Sequence, residues 1–198
     1  MIPNHTAIDW INLPLPSTSQ SLWQSLHDGK LLSIQSDLMA RTVVLEVDVP
    51  HIRHFHKLDD GLRFIITFIE VESVRTNTFV EWPGTVPEVQ GKSYEEQSRL
   101  VEEFQAKGRE ESIGWNDFMA AFPENTLDIY SSEVAQNEST TAVKIQGVLS
   151  GDEYDDKYFN VFIRAQKLVL GRNDDLTLSL EEFTKLGQDF WDANNAQR

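Results

Sequence analysis

Apolar residues recur at every second position along several stretches of this chain, as in β-strands with one buried face. In Thr42–Val49, the residues Val43, Leu45, Val47 and Val49 form one apolar face, and Pro50 ends the strand. Leu62–Arg75 is apolar on both faces, which predicts a central strand covered on both sides. Leu31–Gln35 is predicted as a shorter strand, and residues 50–61 as a polar loop.

The second half of the chain predicts the same succession of strands. They are expected at Leu127–Val134, Ala142–Leu149 and Tyr158–Leu170. The last of these also fits the spacing of a helix, because its apolar residues recur at three- and four-residue intervals. Its alignment with Phe64–Val74 in the first half favours a strand.

Sparse identities relate the two halves. At an offset of 95 residues, Leu32, Ile34, Ser36, Ala40, Asp60, Phe64 and Val74 match Leu127, Ile129, Ser131, Ala135, Asp155, Phe159 and Val169. At an offset of 99 residues, Thr42, Val44 and Val49 match Thr141, Val143 and Val148. The second half would then need four extra residues in its first loop and four fewer in the next. A period near half the chain predicts a duplicated supersecondary unit.

Helical spacing predicts four helices, over residues 17–28, Ser93–Lys107 and Trp115–Phe122 and at the C-terminus after Ser179. Gly29 is expected to end the first helix. Ser93 and Ser179 are each followed three residues later by Glu, which is the capping-box pattern. Trp23 and Trp115 begin the apolar faces of two of the helices, and we expect both to be buried anchors.

These patterns predict an α+β protein. Two pseudo-repeated αβββ units with antiparallel meander sheets, about 17–81 and 112–198, would be joined by a loop and bridging helix over 82–111 and completed by a C-terminal helix. We expect residues 1–198 to form a single compact domain. The proline-containing residues 1–16 would lie against it as an extended arm.

Composition narrows the function. The net charge is −15, from 32 acidic and 17 basic residues. That field repels nucleic acid and anionic membranes and attracts basic partners or cations. Because there is no cysteine, disulfides, thiol catalysis and zinc–thiolate sites are excluded. The sequence has no signal-peptide pattern and no long apolar run, so we expect a cytoplasmic protein that does not span a membrane.

One segment concentrates metal-ligand residue types. It contains His51, His54, His56, Asp59 and Asp60. If residues 54–56 are extended, His54 and His56 project to one side, and a carboxylate could complete a mixed nitrogen and oxygen site for a divalent transition metal. Arg53 and Lys57 are interleaved with these residues and would oppose a cation. The alternative is a solvated loop whose histidines contact nearby acids.

The segment Gly171–Phe183 resembles the latter half of an EF-hand. Its first ligand position holds Gly171 and its sharp-turn position holds Leu176, where the motif requires an acid and a glycine. The segment is therefore interpreted as a turn followed by a helix cap. Phosphate-binding and serine-nucleophile motifs are absent from the sequence.

Leu26-His27-Asp28-Gly29 is followed by Leu32-Ser33-Ile34 and by Val43–Asp48. This order resembles the opening of small bacterial immunity-type and uncharacterised β-meander domains. The resemblance covers residues 26–49 and rests mostly on apolar pattern. It implies a small cytoplasmic bacterial domain that binds a partner.

Two functions remain. The first is a non-enzymatic acidic protein that binds a protein partner, a basic one in the immunity- or inhibitor-like case, without a cofactor. The second is a metal-binding or metal-assisted hydrolase domain that uses His51–Asp60. For the first function, the acids expected to form a continuous negative surface are Glu46, Asp48, Glu70, Glu72, Asp152, Asp155 and Asp156. The sequence leaves the oligomeric state open.

Overall fold

The computed structural model describes residues 23–37, 39–81, 109–122, 126–136, 139–150 and 157–196, together with residues 88, 96, 99, 100 and 103. The predicted N-terminal arm, the Ser93 cap and most of the bridging helix lie outside the described residues. The described helices are α1 (Trp23–Leu26), α2 (Pro50–Phe55), α3 (Trp115–Ala121) and α4 (Leu180–Asn195). The strands are β1 (Gly29–Asp37), β2 (Thr42–Asp48), β3 (Phe64–Glu81), β4 (Arg109–Ile113), β5 (Thr126–Gln136), β6 (Thr141–Ser150), β7 (Lys157–Arg172) and β8 (Thr177–Leu178).

All eight described strands belong to one antiparallel sheet, in the order β4-β3-β2-β1-β5-β6-β7-β8. Strand β3 also pairs with β7, from Phe64 opposite Arg172 to Thr78 opposite Phe159. Together with the short β1–β5 pairing, this contact joins six strands into a closed ring. The fold is α+β, as expected, and its core lies inside the ring.

The two long strands change partners along their length. The first part of β3 pairs with β2 and its last part pairs with β4. Glu70 lies between these parts with a left-handed φ of 55°. The Val71 amide there donates to the Arg41 carbonyl at 2.8 Å. A residue held in the left-handed region bends a strand locally, which lets β3 leave β2 and continue beside β4.

Strand alternation fills the interior of the ring. Leu45 on β2 lies opposite Ile66 on β3, and Ile66 lies opposite Leu170 on β7, so all three side chains share the inner face. Each is almost fully buried. Gly147 on β6 is paired with Ile129 on the neighbouring strand β5. A Cβ at Gly147 would come within 2.5 Å of the Asp128 carbonyl, so this close approach of backbone requires glycine.

Helices cover the two ends of the ring through phenylalanine pairs. At one end, Phe183 of α4 lies 5.1 Å from Phe64, and the Ser25 hydroxyl donates to the Phe183 carbonyl at 2.8 Å. At the other end, Phe118 of α3 lies 5.3 Å from Phe159. All four rings are buried. Buried side chains of the helices therefore close both ends of the core.

The strand predictions are largely confirmed, including a strand at Tyr158–Leu170. The loop prediction for residues 50–61 is confirmed for residues 56–61 and wrong for residues 50–55, because Pro50 begins α2. The expected extra residues in the second half's first loop are also absent. Asp37 pairs with Thr42 and Gln136 pairs with Thr141, so the two connections are equally long.

Three further local predictions can be compared with the structure. Asp28, and not Gly29, takes the left-handed conformation after α1, with φ 59°. Trp115 is only partly buried, whereas Phe118 is fully buried and anchors α3. The side chain of Trp23 lies outside the described residues. The Ser179 capping box is confirmed, because the Ser179 hydroxyl accepts the Glu182 amide at 3.1 Å and the Glu182 carboxylate accepts the Ser179 amide at 2.7 Å.

Replacing Phe183 by Ala should lower the free energy of unfolding by about 3–5 kcal/mol, because it opens a cavity over Phe64. Denaturant titration measures this loss. Phe55→Ala is the control, since Phe55 is 41% exposed; its cost should be well under half as large. Equal costs would show that α4 does not seal this end of the ring.

The capping box predicts a pH dependence. Hydrogen bonds with the backbone amide and the side chain of Ser179 hold the pKa of the Glu182 carboxyl below its usual range. A lowered folded-state pKa stabilises the protein above the unfolded-state pKa of about 4.3, and this stabilisation is lost as the pH falls through the folded-state value. The stability advantage of the wild type over Glu182→Gln should therefore be present at neutral pH and vanish in acid. Glu181→Gln leaves the Ser179 contacts in place. The difference in stability between the wild type and this variant should therefore not shrink as the pH falls.

Candidate functional site

The histidine segment folds as a helix and not as a strand. The extended conformation expected around His54 is wrong, because residues 50–55 form α2. His51 faces the rings of Phe190 and Trp191 at 4.7 and 5.8 Å. His56 places its Nε2 3.0 Å from the Leu186 carbonyl. His54 is 71% exposed and lies 3.9 Å from Asp60. The three imidazoles thus have three different environments.

The two aspartates of the segment are also engaged locally. The Asp59 carboxylate accepts the Gly61 amide at 2.7 Å, which shapes the turn before β3. Asp60 is 92% exposed and accepts Arg53 at 3.4 Å. Among the residues that the structure describes, no group of three or more His, Cys, Asp or Glu side chains is arranged to hold a metal ion.

Arg53 is the most constrained charged residue of this region. Its side chain is 8% exposed, and its Nε and Nη2 donate to the two Asp48 oxygens at 2.8 and 3.2 Å. Arg63 approaches the same carboxylate at 3.6 Å. The paired hydrogen bonds fix α2 against the end of β2. Sequence reasoning treated Arg53 only as a charge opposing a metal, although an acid that ends a strand five residues before a helical Arg was a usable signal.

Three histidines, His27, His51 and His56, contact α4 or its aromatic pair. His27 lies 5.7 Å from Trp191, and its Nδ1 is 2.8 Å from the Tyr130 carbonyl. Phe190 lies 4.9 Å from Trp191 and 5.8 Å from Phe55. Aromatic contacts of this kind stabilise packing by about 0.5–1.5 kcal/mol each beyond their buried area. This cluster attaches the C-terminal helix to the ring, which gives the histidines a packing role.

The four described acids predicted to bind a partner fall into two groups. Asp48 and Glu72 are neutralised within the chain, Asp48 by Arg53 and Glu72 by Arg164 at 2.7 Å. Glu46 accepts the Ser33 hydroxyl at 3.1 Å, and Glu70 is exposed beside the bend in β3. Neither forms a salt bridge with a lysine or arginine of the described ranges. Asp152, Asp155 and Asp156 lie outside the described residues.

Glu46 belongs to an ordered set of side chains on the outer face of the ring, which we call the outer grid. Its three rows follow the strand pairings across β1, β2, β3 and β7. The rows are Ser33–Glu46–Ile65–Gly171, Gln35–Val44–Thr67–Val169 and Asp37–Thr42–Ile69–Lys167. Sequence reasoning missed the grid, because it interpreted both apolar faces of β3 as covered.

Four partly exposed aliphatic residues surround Thr67 in the middle of the outer grid. These residues are Val44, Ile65, Ile69 and Val169. None of them belongs to the hydrophobic core or packs against it. Branched side chains suit a pleated surface, so their strand propensity accounts for the folding of these segments. Core packing does not account for their hydrophobicity, since the core lies on the opposite face.

Comparison with protein-family models, with curated proteins and with solved structures found no match. None of the described helices is long and apolar enough to cross a membrane.

Replacing Arg53 by Gln should lower the free energy of unfolding by roughly 3 kcal/mol, because it leaves the Asp48 carboxylate largely buried without its main partner. The control is Lys185→Gln, which removes an exposed pair with Asp189 on α4. An exposed pair of this kind contributes less than about 1 kcal/mol. Urea titration of both variants checks the difference, and equal losses would contradict an anchoring role for Arg53.

Proposed function

We propose that this chain is a non-enzymatic binding protein whose outer grid binds a basic protein partner. The observation that carries the proposal is the position of four aliphatic side chains on the outer face, away from the core. A patch of this kind resembles the centre of a protein–protein interface, where an apolar middle is surrounded by polar residues. Apolar residues at the surface of a folded protein mark an interaction site more often when they lie together than when they are scattered singly.

Charge supports the choice of a basic partner. Glu46 borders the aliphatic residues within the grid, and Glu70 follows Ile69 directly along β3. Asp48 and Glu72 each pair with an arginine of this chain, whereas these two carboxylates pair with no arginine of the described ranges. The net charge of −15 adds a long-range attraction that would raise the association rate with a cationic partner. Lys167, at one corner of the grid, would favour an acidic residue at the matching place on the partner.

The proposal keeps the immunity- or inhibitor-like role implied by the resemblance of residues 26–49, with a cytoplasmic setting. In this role the protein neutralises a basic partner by covering it, so it needs no catalytic residue and no cofactor. The metal-binding alternative gains no support from the geometry, since His51, His54 and His56 face different surroundings.

We further propose that the β1–β2–β3 and β5–β6–β7 meanders derive from a duplicated unit. Three features support this origin. Both meanders have the same strand order, and the connection between the first two strands is equally long in both. Each first strand also has a register shift, between Leu31 and Ser33 in β1 and between Ile129 and Ser131 in β5.

The binding proposal is tested with the immobilised chain and a bacterial extract. We expect it to retain a protein of net positive charge, with less recovered as the salt concentration rises. In the double variant Val44→Thr with Val169→Thr, recovery of that protein should fall at least about tenfold, because isosteric threonines keep the strands but remove apolar contact. Glu46→Gln with Glu70→Gln should lower recovery further at low salt.

Matched controls separate the grid from general stickiness and general acidity. Leu176 is 47% exposed outside the grid, so Leu176→Ser removes an exposed aliphatic residue elsewhere. Asp192→Asn removes an exposed acid on α4. Both controls should retain the partner at the wild-type level. The proposal would be overturned if the controls and the grid variants lowered recovery of the partner equally. It would also be overturned if the grid variants left recovery unchanged.

A further inference from the structure

One side of the outer grid ends at an open strand edge. Strand β1 pairs with β5 only from Gly29 to Leu31. Beyond that point, among the strands that the structure describes, β1 pairs with β2 alone. The corresponding part of β5, beyond Ile129, has α1 beside it, and its Tyr130 carbonyl is contacted by His27 at 2.8 Å. The two hairpins therefore differ in how their outer edges are covered.

The open edge is regular and accessible. Ser33–Asp37 pairs with β2 residue by residue after the register shift at Leu32. Gln35, Ser36 and Asp37 are exposed. Proteins commonly protect such edges with lysine, proline or a covering element. The stretch Ser33–Asp37 contains neither lysine nor proline. Within the described ranges no strand pairs with the outward N–H and C=O groups of this stretch, so it has the form that an added extended chain requires.

We infer that the basic partner contributes an extended segment that adds to the sheet as a new strand beside Ser33–Asp37. This inference rests on the proposed function and specifies how the partner binds. Main-chain hydrogen bonds to β1 would supply affinity, and alternate side chains of the segment would supply specificity. A second copy of this chain is disfavoured as the occupant, because each copy carries a net charge of −15.

The grid explains why the added strand should be basic. Alternate side chains of the new strand would form one more column of the grid, beside Ser33, Gln35 and Asp37. Neighbouring strands are about 4.8 Å apart, so Glu46 would lie only two strands, or about 10 Å, from this column. Ser33 stands between them with a short side chain that already contacts Glu46. A lysine or arginine beside Ser33 can therefore extend over it to the Glu46 carboxylate.

The test uses a capped octapeptide of alternating lysine and valine as the probe, with two partly N-methylated versions. One version is methylated on the lysine amides and the other on the valine amides, so the three peptides share charge and composition. In an added strand only alternate residues face β1. We expect one methylated version to bind like the parent and the other to lose at least about tenfold in affinity, the equivalent of roughly 1.4 kcal/mol.

Hydrogen exchange locates the added strand. With the parent peptide bound, amide exchange of alternate residues in Ser33–Asp37 should slow at least about tenfold. Gln35→Lys places a like charge beside the basic strand and should weaken binding up to about fivefold. Gln188→Lys makes the same charge change at an exposed position on α4 and should leave the affinity close to that of the wild type.

The outcomes separate this inference from the proposed function. If both methylated peptides bind like the parent and β1 exchange is unchanged, the edge inference is wrong. The outer grid would still stand if Val44→Thr with Val169→Thr reduced retention of the cationic protein from the extract. If the grid variants retained the cationic protein as well as the wild type does, both proposals would fail. Selective loss with one methylated peptide, together with slowed exchange in Ser33–Asp37, supports strand addition.

Discussion

The pairing of β3 with β7 is the constraint on which the rest of this structure depends. It joins two meanders that would otherwise form one open sheet, and it brings the inner residues of both into one interior. A ring that encloses its own core needs cover only at its ends. Helices supply that cover, with Phe183 at one end and Phe118 at the other. The core then needs no contribution from the outer face, so aliphatic residues can remain partly exposed on that face.

The strands were predictable from the sequence because their apolar residues repeat every second position with little interruption. Helix α2 was not, since Pro50 ends a strand and begins a helix equally well, and periodicity over six residues cannot separate the two. The closure of the sheet into a ring could not be predicted from the sequence either. Apolar residues on both faces of β3 predict cover on both sides, whereas the structure buries Ile66 and leaves Ile65 and Ile69 partly exposed.

The candidate site shows the same limit in electrostatic terms. Net charge follows from composition. Which carboxylates can interact with a partner depends on which of them pair with an arginine of the same chain. Asp48 and Glu72 do, and Glu46 does not, although all three lie within acidic strand segments that look alike in sequence. Arg53 and Arg164 come from separate elements, so only the folded arrangement distinguishes an acid that pairs with an arginine from one that does not. The roles of the histidines depend on the fold in the same way, because His51 and His56 pack against α4.

Closing a sheet through two distant strands has a kinetic consequence. The β3–β7 ladder joins residues 64–78 to residues 159–172, so it is among the most non-local contacts in the molecule. A ribosome adds about 5–20 residues per second, so a finished β3 waits for β7 for roughly 5–20 seconds. During that interval Phe64, Ile66 and Phe68 can pair with β2 but lack β7 on their other side. Repulsion between acidic chains opposes their association during this interval, and it grows as the more acidic second half of the chain is added.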